Sequence, residues 1–96
     1  MNKLIYHKLK IIPPYYDDVV NGIKKFELRK DDRDFKVGDY IILKEFIPEK
    51  AQYSGRECKV KIKYKLSEII GLLEGYCILG ITFKEILKKS ISCKEI

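Results

Sequence analysis

Cys58-Lys59-Val60-Lys61-Ile62-Lys63-Tyr64-Lys65-Leu66 alternates apolar or aromatic side chains with lysine at every second position. Successive side chains of an extended strand point to opposite faces, so a period of two marks a strand with one buried and one solvated face. Working outward, Gly71 to Gly75 is a break, Tyr76 to Phe83 reads as the last strand, and Lys84 to Lys89 starts a short C-terminal helix. On the other side, Pro48 to Gly55 reads as a polar loop. It is preceded by an apolar strand, Tyr40 to Phe46, that follows the tight turn Val37-Gly38-Asp39.

Further upstream, Lys25 to Lys30 also alternates, with Phe26 and Leu28 on one face and Lys25, Glu27 and Arg29 on the other, a half-buried strand. Leu4 to Lys10 is a strand-like run, stopped by Pro13-Pro14, which have no N–H to give a ladder. Pro14 suits the first turn of a short helix running to Asn21. Asp17 and Asp18 lie near its positive end, and Gly22 serves as the left-handed residue just past its C-terminus. About five or six strands and one or two short helices predict an α+β, mainly β, mixed or closed barrel.

Ninety-six residues support one core, and 46% hydrophobic with 35% charged residues is a globular balance. The expected organisation is one domain over 1–96, with a core at about 4–83 and a C-terminal extension at 84–96. No apolar run reaches the roughly 18 residues of a membrane helix, and the N-terminal stretch lacks a signal-peptide pattern, so the chain reads as cytoplasmic with no membrane partner. Cys58, Cys77 and Cys93 are odd in number and widely spaced, which fits buried thiols better than disulfides or zinc. His7 is the only histidine, leaving a His-rich metal site or a Ser/His/Asp triad little to build on. Asp31, Asp32, Asp34 and Asp39 lack calcium-loop spacing and read as turn residues. No pattern calls for a cofactor or metal. The formal charge of +6 favours an anionic partner.

Gly22, Lys24, Glu27 and Arg29 form the pattern G-x-K-x-x-E-x-R, which resembles the signature of the ASCH superfamily. The resemblance extends over about residues 4 to 83. It takes in His7-Lys8-Leu9-Lys10, Tyr16, Phe26 to Phe35, Val37-Gly38-Asp39, Gly55-Arg56-Glu57 and Gly75 to Gly80, and looks like one small bacterial and phage family within that superfamily. It implies a PUA-like pseudo-barrel with a cleft beside the first helix, and a role in binding RNA or modified nucleosides. A bacterial relative in the superfamily hydrolyses N4-acetylcytidine with a lysine, a threonine and a glutamate. Lys24 stands at the lysine position and Glu27 replaces the threonine, with Glu57 and Glu74 as options for the separate glutamate.

The residue chemistry is consistent with either role. Lys24 can hold a phosphate as an ammonium or, desolvated, act as a general base. Glu27 and Arg29 stand close enough to pair and orient the guanidinium fork toward a phosphate or base edge. Set against this is an ordinary surface ion pair worth about 0 to 1 kcal/mol. Lys59, Lys61, Lys63 and Lys65 would project at intervals of about 6.6 Å, a row able to track a phosphate backbone or simply a solvated face. Tyr16, with Tyr6, Tyr15 and Tyr76, supplies candidate stacking rings. The reading reached is an RNA- or nucleotide-binding module, with a small hydrolase acting on RNA or modified nucleosides through Lys24 and Glu27 as the alternative. A regulatory protein whose basic face meets an acidic partner is a third.

Overall fold

The computed structural model describes residues 4–89. Its elements are β1 (Tyr6–Ile11), α1 (Tyr15–Val20), β2 (Phe26–Lys30), β3 (Tyr40–Ile47), β4 (Gln52–Ser67) and β5 (Tyr76–Lys88), with a 3-10 turn at Pro48–Lys50. The five strands form one sheet in the order β1-β3-β4-β5-β2. Only β1 and β3 run parallel; the other neighbours are antiparallel. The sheet curls into a half-barrel around Ile41, Leu43, Val60, Ile62 and Leu79, and α1 adds Tyr16 and Val19 to that core. The mainly-β class expected from the strand pattern, and the pseudo-barrel that the resemblance implies, are thus the fold found. No helix among the described residues is long and apolar enough to cross a membrane.

Curling brings the two free edges, β1 and β2, within side-chain reach. Arg29 of β2 donates from Nη2 to the Lys10 carbonyl, and Arg33 of the following turn donates from Nη1 to the Lys8 carbonyl at 2.9 Å. These guanidinium–carbonyl bonds bridge a seam that no strand ladder closes. The turn after β2 is anchored beneath it: His7 Nε2 donates to Asp39 Oδ2 at 2.8 Å, the Lys36 amide donates to the same oxygen at 3.0 Å, and Phe35 packs edge-on against the His7 ring. Asp39 is therefore a buried anchor as well as a turn residue, and Asp34 takes the left-handed conformation that Asp tolerates.

Three sequence expectations are corrected. Lys84 to Lys89 starts no helix, because β5 continues to Lys88 and pairs with β4 through Cys58↔Ile86 and Glu57↔Lys88. Cross-strand pairing overrides local helix propensity there. The polar loop after Pro48 is only a short turn, since Gln52 and Tyr53 already pair with Ile47 and Phe46. The lysine alternation is broken by a bulge between Ile62 and Tyr64. Beyond it Lys65 lies opposite the fully buried Leu79, on the inner face, while Tyr64 lies opposite Gly80 on the outer. One extra residue in a strand moves every later side chain to the other face. Cys58 and Cys77 are buried free thiols, and burial pushes the Cys58 thiol up to about 12. Cys93 and residues 90–96 of the expected extension lie outside the described residues.

Helix α1 is latched to the barrel by ions. Glu45, at 3% exposure, accepts from Arg56 Nε and Nη2 at 2.8 and 2.9 Å and from the Ser54 hydroxyl at 2.8 Å, while Arg56 Nη1 donates to Asp17 of α1 at 2.9 Å. The guanidinium also lies 4.5 Å from the Tyr16 ring centroid. The Arg56 bonds hold the Glu45 carboxyl below its ordinary value of 4.5. A depressed carboxyl contributes its full stabilisation above that value and loses it as the pH falls from there through the lower folded-state value. Arg56→Ala is expected to lower stability at pH 7 by about 3 kcal/mol, since a buried carboxylate loses its cation. Denaturant melts over a pH series check this: the gap between wild type and variant should shrink as the pH drops below 4.5.

Candidate functional site

The site begins at the end of α1. Gly22, at φ +76°, closes a paired C-terminal cap in which its amide donates to the Val19 carbonyl and the Ile23 amide to the Asp18 carbonyl. The Asp18 carbonyl also accepts from the Lys24 amide at 3.0 Å, which fixes the backbone of Lys24 before the chain enters β2. A glycine is needed there because an L side chain at that φ is strained.

Strand β2 is inverted relative to its hydrophobic pattern. Phe26 and Leu28 are 50% and 56% exposed, whereas Glu27 is 4% exposed. Glu27 lies opposite Leu79 and Arg29 opposite Cys77, both wholly buried, so the charged face of β2 points into the barrel. The half-buried strand expected from the alternation is found, with its charged face inside. What permits the inversion is complete pairing of the carboxylate. Lys24 Nζ donates to Glu27 Oε2 at 2.6 Å, and Arg29 Nε donates to Oε1 at 2.9 Å with Nη2 at 2.8 Å. Lys24 also donates to the Phe26 carbonyl at 2.6 Å.

This triad forms the wall of a cleft of about 490 Å³ at the seam between the sheet edges. Lys10 to Ile12 at the end of β1, Tyr15 of α1 and Phe26 to Arg29 of β2 complete it. The Lys24 ammonium lies 4.7 Å from the Phe26 ring centroid and 5.8 Å from that of Tyr15. Both rings are about half exposed, so the cleft offers two aromatic faces, a fixed ammonium and a fixed guanidinium.

The structure brings together Lys24, Glu27 and Arg29, and separates the other expected site residues from them except Lys63, which lines a smaller pocket with Lys24. Tyr16 is 2% exposed, so the expected stacking ring is a core residue, with burial raising its hydroxyl to about 12. Lys59 is paired with Glu85 at 2.8 Å, and both Lys59 and Lys61 lie against the Tyr40 ring on the outer face. Lys65 is on the inner face, donating to Asp31 and to the Phe35 carbonyl. Lys63 sits at the bulge. The four lysines are thus no continuous row. Glu57 pairs with Lys88 at 3.8 Å, and neither Glu57 nor Glu74 lines the cleft. Phe26 belongs to the site although its alternation marked it as core.

Loss of the shared anion should be costly, because two partly buried cations then face each other without compensation. Glu27→Ala is expected to destabilise by about 3 kcal/mol, with Glu27→Gln nearly as harmful because it keeps the shape and loses the charge. Chemical denaturation reads the effect; a Glu27→Gln variant as stable as wild type would mean that shape and not charge holds the triad.

A family model described as "Domain of unknown function (DUF3850)" matches residues 6–81. The chain is also 32% identical over 85 residues to a protein of Escherichia phage P2 described as "Uncharacterized 12.9 kDa protein in GpA 3'region", covering 88% of this chain and 75% of that one. The matched span runs from the start of β1 into β5 and contains every residue of the cleft, so the chain belongs to the DUF3850 family.

Proposed function

We propose that the chain is a binding module of the ASCH kind that takes a single RNA base or a nucleotide-like ligand into the cleft beside α1. The observation that carries this reading is the inverted strand β2. It spends an inward position on a carboxylate, exposes Phe26 and Leu28, and holds Lys24 and Arg29 at the wall of an otherwise apolar cleft. Stability alone does not explain such an arrangement, since a well-packed apolar residue in place of a buried ion pair is often neutral or stabilising. A site for a planar polar ligand does. Tyr15 and Phe26 supply stacking faces worth roughly 1 to 3 kcal/mol per base. Arg29 supplies a rigid fork, and Lys24 a point charge.

The same pocket serves a hydrolase reading, in which Lys24 is the base and Glu27 its partner. The geometry favours binding. The Lys24 ammonium already donates to a carboxylate and a carbonyl, which suits a fixed positive charge better than a group that must accept a proton. An extended strand tracked by the β4 lysines is a poor fit, because that row is split between two faces and two of its members are paired with carboxylates.

Calorimetric titration with nucleosides, modified nucleosides and short single-stranded RNA tests the proposal. Lys24→Gln and Arg29→Gln should each weaken binding by about tenfold or more, the loss of one charge-assisted contact. Changing Lys59 and Lys61 together to Gln should leave both affinity and salt slope unchanged, whereas a lost phosphate contact would flatten the slope by about 0.7. Release of a free acid or base from a modified nucleoside would instead favour the hydrolase.

A further inference from the structure

Beside the cleft lies a smaller pocket of about 190 Å³, and Lys24 lines both. Its floor is apolar, built from Val19 of α1 with Ile81 and Phe83 of β5. Lys25 and Lys63, each carrying an ammonium, and Thr82 complete the lining. Lys63 joins this pocket at the β4 bulge between Ile62 and Tyr64, where the strand departs from the alternation that sets Lys59 and Lys61 on the outer face. Bulges recur where a strand must re-aim one side chain toward a site.

Charge compensation separates this pocket from the Lys24–Glu27–Arg29 triad and from the Lys59 and Lys65 pairs, though not, among the described residues, from other unpaired surface lysines such as Lys44 and Lys61. Lys24, Lys59 and Lys65 are each matched to a carboxylate, Glu27, Glu85 and Asp31. Among the described residues neither Lys25 nor Lys63 has a carboxylate within 4.0 Å. Two ammoniums without a carboxylate partner over an apolar floor make a site for a compact, strongly hydrated anion. The low-dielectric floor strengthens their attraction for it. Its one aromatic ring, Phe83, belongs to the floor, whereas the cleft on the other side of Lys24 has two half-exposed rings.

We propose that this pocket is a phosphate subsite for the ligand held in the cleft, so that the preferred ligand is a phosphorylated nucleotide, with Lys24 between base and phosphate. The inference rests on the reading of the cleft as a base site. Its test is built so that the two can fail separately. Nucleosides and their 5′- and 3′-monophosphates are titrated calorimetrically into the wild type and into a variant carrying Lys25→Gln and Lys63→Gln. In parallel, inorganic phosphate is titrated and followed by backbone amide shifts.

The wild type should bind one of the monophosphates about tenfold tighter than the parent nucleoside. The double variant should lose that gain and keep the nucleoside affinity, with an unchanged melting temperature showing that it is folded. Inorganic phosphate should shift the amides of Lys25, Lys63 and Thr82 in the wild type and not in the variant. Equal wild-type affinity for nucleoside and nucleotide, or equal losses of both in the variant, would overturn the subsite and leave the cleft reading standing. If no nucleoside binds, the cleft reading fails and so does the shared ligand; phosphate shifts at Lys25, Lys63 and Thr82 would then identify a free-standing anion site, and their absence would remove the pocket altogether.

Discussion

The Glu27 carboxylate, buried and shared between Lys24 and Arg29, is the interaction on which the rest of the architecture turns. A lone carboxylate in that position would be untenable, because taking an ion out of water costs several kcal/mol that only close cations and good hydrogen bonds return. With both cations in place, the charged face of β2 can point inward. Arg29 is then aimed across the seam to the Lys10 carbonyl, and the outer sheet edges are bridged where no ladder joins them. The same inversion leaves Phe26 half exposed at the cleft, so seam, cleft wall and exposed ring have one physical origin.

Three further devices position the parts of the site. The helix cap at Gly22 delivers the Lys24 backbone to a fixed point, bonded to the Asp18 carbonyl. The helix itself is held from below by Arg56, which joins Asp17 on α1 to Glu45 on β3, and this keeps Tyr15 at the cleft. Opposite them, the β4 bulge divides the lysines between two faces and leaves Lys63, without a carboxylate partner among the described residues, in one pocket with Lys25. Each device sits where regular secondary structure is interrupted, which is where local rules are expected to yield to function.

Much of the fold was legible because its signals are local. The period of two from Cys58 to Ile62, the stop at Pro13-Pro14 and the left-handed Gly22 all correspond to features found. The motif spacing also singled out Lys24, Glu27 and Arg29, which do converge. Alternation reveals that Phe26 and Leu28 share a face but cannot say which face is inside; only the cations from elsewhere in the fold decide that. A bulge likewise leaves no mark in the lysine alternation, so Lys65 was placed on the wrong side. The Glu45–Arg56–Asp17 latch joins residues 11 and 39 apart and was missed, although a single acid within the apolar run Tyr40 to Ile47 was a usable signal. Tyr16 was misjudged because an aromatic next to a motif looks the same in sequence whether it faces the cleft or the core.

The most direct measurement of the central claim is amide chemical-shift mapping of the labelled protein with a short single-stranded RNA. If the triad-walled cleft is the binding site, perturbations gather at residues 10–15 and 24–29 and fade across the outer face of β3 and β4. Perturbations centred on Lys59, Lys61 and Tyr40, with residues 24–29 unmoved, would contradict it.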